Sequence, residues 1–215
     1  RERSKEGKVE KKEVELVNML KNPSFEESKD GLPLNWISKV HKGTATLSID
    51  SSIARTGKNS GRIESSEGGG AEFLMIRPLE PGEYLLSAWV RTKGIEGKNG
   101  VLLKVQGRGL EMKESAKLKG TIKEWQKLQI NFRVDSKSGV LVFCLFGAWS
   151  EAKGTVWFDD VELFQLSSEK VIPKVTKVES LLAKQAFEKG PEEMIQLVEL
   201  INTKNEKSSS LFMEG

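Results

Sequence analysis

Gly154-Thr-Val-Trp-Phe-Asp-Asp-Val-Glu-Leu163 is the stretch on which the fold turns. Val and aromatic side chains dominate it and a glycine precedes it, as in a β-strand that follows a turn. Its centre holds two adjacent carboxylates. Side chains alternate across a strand, so Asp159 and Asp160 are expected on opposite faces, one of them towards a packed interior. A carboxylate there is costly unless it is hydrogen-bonded or holds a cation.

Working outward, the same kind of segment recurs. Tyr84 to Arg91 reads as a central strand, with Tyr84, Leu86, Ala88 and Val90 on a core face and Leu85, Ser87, Trp89 and Arg91 on the other. Val101 to Gln106 alternates the same way, and Trp125 to Val134 and Gly139 to Phe146 are two more strands. The last of these is apolar on both faces, so its outer side calls for a cover. Thr44 to Asp50 alternates too. Arg62 to Glu64 and Ala71 to Ile76 read as separate strands divided by Gly68-Gly-Gly70. About nine or ten strands result, with turn signals at the spacing of a β-sandwich. No 10–15-residue helical pattern interrupts them before residue 170, which argues against a parallel α/β fold.

Residues 1–13 are charged and read as a solvated linker, and Val14 to Leu20 can form a first strand. The sandwich is expected over 14–166 and a Pro-containing linker over 167–177. A helical pair follows over 178–202, turned at Gly190-Pro191, and a flexible tail over 203–215. The chain opens on Arg1 rather than Met, so an excised or processed piece of a longer protein is expected. In such a piece the lack of a signal peptide carries no information.

Of 215 residues, 34 are Lys or Arg and 31 Asp or Glu, a net charge of +3. This near balance argues against nucleic-acid or membrane binding by bulk charge. No run approaches the roughly 18 apolar residues of a membrane span. Cys144 is alone and reads as a buried small hydrophobe; His41 is the single histidine, which excludes paired-His metal chemistry. Asp159 and Asp160, pointing apart, are not a glycosidase pair. No nucleophile elbow accompanies His41, and Glu111 and Glu114 sit in a polar loop. A non-enzyme is expected.

The order of short motifs adds a resemblance. Asn22-Pro-Ser-Phe-Glu26 is followed by Pro33 and Trp36, then Thr56-Gly-Lys-Asn-Ser60 and Gly82 to Arg91; Trp125-Gln-Lys-Leu128 precedes Gly154 to Leu163. Over residues 14–166 this succession resembles carbohydrate-binding modules of the galactose-binding-like β-sandwich (jelly-roll) type, as appended to xylanases and glucanases. The resemblance implies an all-β antiparallel sandwich in a larger extracellular or cell-surface protein, with a polysaccharide or glycan and other domains of the parent chain as partners. It also implies a structural Ca2+ held by the side chains of Glu26 and Asp159 and the carbonyls of Ser24 and Lys58, an oxygen set that suits calcium. Asp160 is the other candidate ligand if a bulge swaps the two neighbours. The competing reading is that Glu26 and Asp159 accept loop N–H bonds with no metal.

For the sugar, an aromatic platform with polar neighbours is expected from Trp89, Arg91, Gln106, Arg108 and Trp149, with Lys104 on the same face. Trp36 and Trp125 look structural. One tyrosine, Tyr84, on the core face, is few for a sugar platform. A structural or protein-interaction sandwich of the same fold therefore stands as the alternative function.

Overall fold

The computed structural model describes residues 16–166. The expected linkers at 1–13 and 167–177, the helical pair at 178–202 and the tail at 203–215 lie outside the described residues. No described helix is long and apolar enough to cross a membrane, which says nothing of a β-barrel.

Eleven strands follow one another. They are β1 (Ser28–Lys29), β2 (Leu32–Pro33), β3 (Ile37–Gly43), β4 (Thr46–Asp50), β5 (Ser60–Leu79), β6 (Gly82–Gly97), β7 (Val101–Gly107), β8 (Leu110–Glu114), β9 (Gly120–Val134), β10 (Ser138–Phe146) and β11 (Ala152–Leu166). β1 and β2 make a short hairpin, and the other nine form one antiparallel sheet in the order β8-β7-β10-β5-β11-β6-β9, with β3 and β4 also on β5.

β5 turns this sheet into two layers. Its first half, from Ser60 to Ser65, pairs with β4 and β11; its second half, from Gly69 to Leu79, pairs with β3 and β10. The first layer is therefore β4-β5-β11-β6-β9 and the second β3-β5-β10-β7-β8. The expectation of two strands divided by glycines is corrected here: the chain stays extended through Gly68-Gly69-Gly70 and turns a corner. A Cβ on Gly69 would stand 2.4 Å from the Thr44 carbonyl oxygen, and one on Gly70 would meet the His41 ring. The glycines admit close backbone crossing rather than ending the strand.

One core lies between the layers. Leu86, Ala88, Val90, Leu128, Ile130, Phe132, Val156 and Phe158 come from the first; Phe73, Met75, Leu103, Val105, Val142 and Cys144 come from the second. The core faces read for β6 and β7 are thus observed, and β9 and β10 also turn one face inward. Cys144 is fully buried, which pushes its thiol well above the usual range. Two expectations are corrected. Residues 16–20 form no strand, but bond to β11 through Met19 N–H to the Leu163 carbonyl and the Asn18 side chain to Val161 and Leu163. Glu111 and Glu114 lie on the edge strand β8 rather than in a loop.

Candidate functional site

The outer face of the second layer collects residues that sequence spacing alone keeps apart. Along β10, Val140, Val142, Cys144 and Phe146 point into the shared core, so Leu141, Phe143 and Leu145 point outward. Strand register lines them up with neighbours. One row across the face is Ile37, Leu74, Phe143, Lys104 and Glu114; a second is Lys39, Glu72, Leu145 and Leu102; a third is Ile76, Leu141 and Gln106. Leu74, Leu102, Phe143, Leu145 and Ala148 pack into an apolar floor separate from the main core. The outward side chains of β10 thus pack against those of β5 and β7.

Three polar side chains are set into this floor. Lys104 is only 1% exposed. Its Nζ stands 4.6 Å from the centroid of the Trp149 ring and 5.2 Å from that of Phe143. Burial pulls its ammonium below the usual lysine range, against the opposing attraction of Glu114 and Glu72. Glu72 is buried, with Oε2 3.4 Å from His41 Nδ1. A register shift between Val40 and Lys42 brings His41 over Gly70, where its Nε2 meets the Ala148 carbonyl. Trp149, in the turn between β10 and β11, is 65% exposed with its ring centroid 5.7 Å from that of His41. An exposed indole beside an apolar floor with buried donors and acceptors can stack on a flat apolar ring face and bond polar groups at its edge.

The five expected sugar contacts do not share one face. Trp149 and Gln106 lie on the outer face of the second layer, and Arg108 lies beyond β7 in the exposed turn to β8, where its carbonyl accepts from the Ser138 hydroxyl. Trp89 and Arg91 belong to β6, on the outer face of the first layer. Trp89 is half-buried, its ring covered by the Arg55 guanidinium at 4.0 Å. Arg91 sits opposite Trp157, a buried indole that donates to Asp50. β6 and β7 alternate identically, so their non-core sides looked continuous; they belong to different layers. Glu72 and His41 were missed. A lone carboxylate within the apolar run Ala71 to Ile76 was the available signal for Glu72.

The acidic pair in β11 also departs from expectation. Asp159 and Asp160 do not diverge: both bond to Arg55 and Thr56. Asp160 has φ 45° at a register shift between Asp159 and Glu162, so a bulge with a left-handed residue breaks the alternation. Asp159, with no exposed surface, accepts from the backbone N–H groups of Arg55 (2.7 Å), Thr56 (3.2 Å) and Asp160 (2.7 Å). Burial still pushes its carboxyl up to about 6. Asp160 accepts from the Ser24 and Thr56 hydroxyls, each at 2.6 Å, and from the Arg55 guanidinium. Burial raises it, but these bonds outweigh that and hold it below the usual carboxylate range.

Glu26 accepts from the backbone N–H groups of Lys58 (2.9 Å) and Asn59 (3.0 Å). The loop from Arg55 to Asn59 is thus clasped between Glu26 at one end and the two aspartates at the other. The residues expected to cage calcium meet N–H donors and a guanidinium instead: Lys58 offers Glu26 its N–H, and Ser24 offers Asp160 its hydroxyl. Among the described residues no three acidic, His or Cys side chains gather as a metal site. The loop N–H bonds of the metal-free reading are thus present at both Glu26 and Asp159.

No family model matches the sequence, and no curated protein matches it. Solved structures do. The carbohydrate-binding module TmCBM61, in complex with beta-1,4-galactotriose, is 24% identical with a TM-score of 0.54, over 70% of this chain and 99% of that one. The enzymatically active domain of bacteriophage CBA120 tailspike protein 4 is 11% identical with a TM-score of 0.54, over 70% of this chain and 22% of that one. A cyclase from Fischerella sp. TAU is 17% identical with a TM-score of 0.53, over 72% of this chain and 100% of that one. Carbohydrate-binding modules thus stand among the structural neighbours. At these identities the likeness is one of fold, which binding modules and enzymes share.

Proposed function

We propose that the domain is a non-catalytic carbohydrate-binding module that receives a polysaccharide on the outer face of its second layer, within a larger extracellular or cell-surface protein. The observation that carries this reading is Trp149, an exposed indole beside an apolar floor in which Lys104 and Glu72 are buried. The similar module that holds beta-1,4-galactotriose supports the choice of ligand class. Isothermal titration with β-1,4-linked galactan and xylan oligosaccharides tests it. Trp149→Ala should weaken binding by about 2 kcal/mol or more, the usual cost of losing a central aromatic anchor. The ring also faces the buried Lys104 ammonium, so stability should fall by about 0.5–2 kcal/mol as well.

A protein-interaction module is the second reading. It is favoured by Ile37 and Ile76, exposed aliphatic side chains at the margin of the same face. Aliphatic rims bury well against another protein and offer a sugar no flat surface. Under this reading no glycan binds, and Ile76→Glu abolishes association with a partner while Trp149→Ala only weakens it.

A further inference from the structure

Lys104 is the least expected residue of the face. An ammonium carries three donors, and burying it without acceptors is costly. Here Nζ meets two aromatic rings, and none of the described residues accepts a hydrogen bond from it. Glu72 is in a matching position: a buried carboxylate with Oε2 3.4 Å from His41 Nδ1, which makes no hydrogen bond. A purely structural ion pair would bring lysine and carboxylate together. These two instead occupy neighbouring rows of one floor, Lys104 opposite Phe143 and Glu72 opposite Leu145, on strands that flank β10. They offer outward one set of donors and one set of acceptors with a hydrophobic strip between.

We propose that Lys104 and Glu72 are the specificity-determining pair of this face, the ammonium donating to and the carboxylate accepting from hydroxyls of one uncharged pyranose chain that lies across the strands and stacks on Trp149. The proposal rests on the reading of this face as a glycan site and names the class of glycan. A pyranose hydroxyl both donates and accepts, so an ammonium and a carboxylate on either side of an apolar strip are complementary to a neutral sugar. An acidic sugar fits less well: Lys104, the one buried ammonium of these rows, stands beside two carboxylates, Glu72 and Glu114, that repel a uronate, and the other ammonium, Lys39, is exposed on the rim strand β3. The face spans five strands at ~4.8 Å spacing, about 19 Å, which suits an oligosaccharide rather than one sugar.

Calorimetric titration of the protein with β-1,4-galactotriose, xylohexaose and trigalacturonate tests the pair. The wild type is expected to bind at least one neutral oligosaccharide and to reject trigalacturonate. Lys104→Met, which keeps the stem over the rings, should lose at least tenfold in affinity for the neutral ligand with an unchanged melting temperature. Glu72→Gln should narrow the discrimination against trigalacturonate, a change that a merely structural carboxylate would not produce. It carries the test if Lys104→Met does not fold. Neutral binding that survives Lys104→Met but is lost in Trp149→Ala overturns the role of the pair and leaves the site standing. Preference for trigalacturonate overturns the ligand class alone. If no glycan binds to the wild type, the site reading fails and the pair with it.

Discussion

At the scale of single residues, Trp89 and Trp149, both expected in the sugar site, have opposite surroundings. Trp149 is open. Trp89 lies under Arg55, whose guanidinium reaches on to Asp160, with Lys127 Nζ at 5.8 Å from the same ring. A guanidinium over an indole contributes ~0.5–2 kcal/mol, depending on how far it is desolvated. Trp89→Ala should therefore lower stability by about 1–2 kcal/mol, more than any effect on glycan binding, because it also frees the anchor of the 55–59 loop. Thermal denaturation beside a binding titration checks this. A variant that loses binding at unchanged stability would move the sugar site to the first layer. Sequence spacing placed Trp149 and Gln106 correctly outside the core. It did not pair them with Glu72 and His41, because cross-strand register depends on which strands become neighbours.

At the scale of elements, most of the sandwich was legible and its corner was not. β6 and β9 alternate because one face of each meets the core, whereas β7 and β10 are buried on both faces over most of their length. β3 and β8 lack that pattern because edge strands face water on most sides. β5 was misread because glycine ordinarily ends a strand, whereas here it is required for backbone to pass backbone. The bulge in β11 was foreseeable only as a possibility, since nothing in Asp159-Asp160 announces which residue turns left-handed. Gly69→Ala tests the corner: its Cβ would meet the main chain of Thr44, which has no flexible end to move aside. The expected loss is about 2 kcal/mol or more, seen as a fall of roughly 5 °C in melting temperature, with the 55–59 clasp intact.

At the scale of the whole molecule, both ends of the described chain meet beside β11. Pro23 accepts from Val161 N–H, Met19 donates to Leu163, and Glu26 and Asp159 clasp one loop from two sides. Because N–H groups and Arg55 satisfy these carboxylates, removing divalent cations with a chelator should leave the melting temperature unchanged. Adding calcium should not raise it, as it would for any ligand that binds only the folded state. A rise of several degrees would mean that the loop re-forms around an ion. The path of β5 has a consequence for the order in which the chain leaves the ribosome. Its partners in β10 and β11 lie some sixty to ninety-five positions later, so neither layer can close while β5 is being made. Its apolar second half waits, unpaired on that side, until Phe146 has emerged, and its first half until Phe158 has. Closing such distant pairs is slow in all-β chains, on the order of milliseconds to seconds. During that interval Gly68, Gly69 and Gly70 leave the chain free to bend either way, and the corner becomes committed only when the last strand arrives.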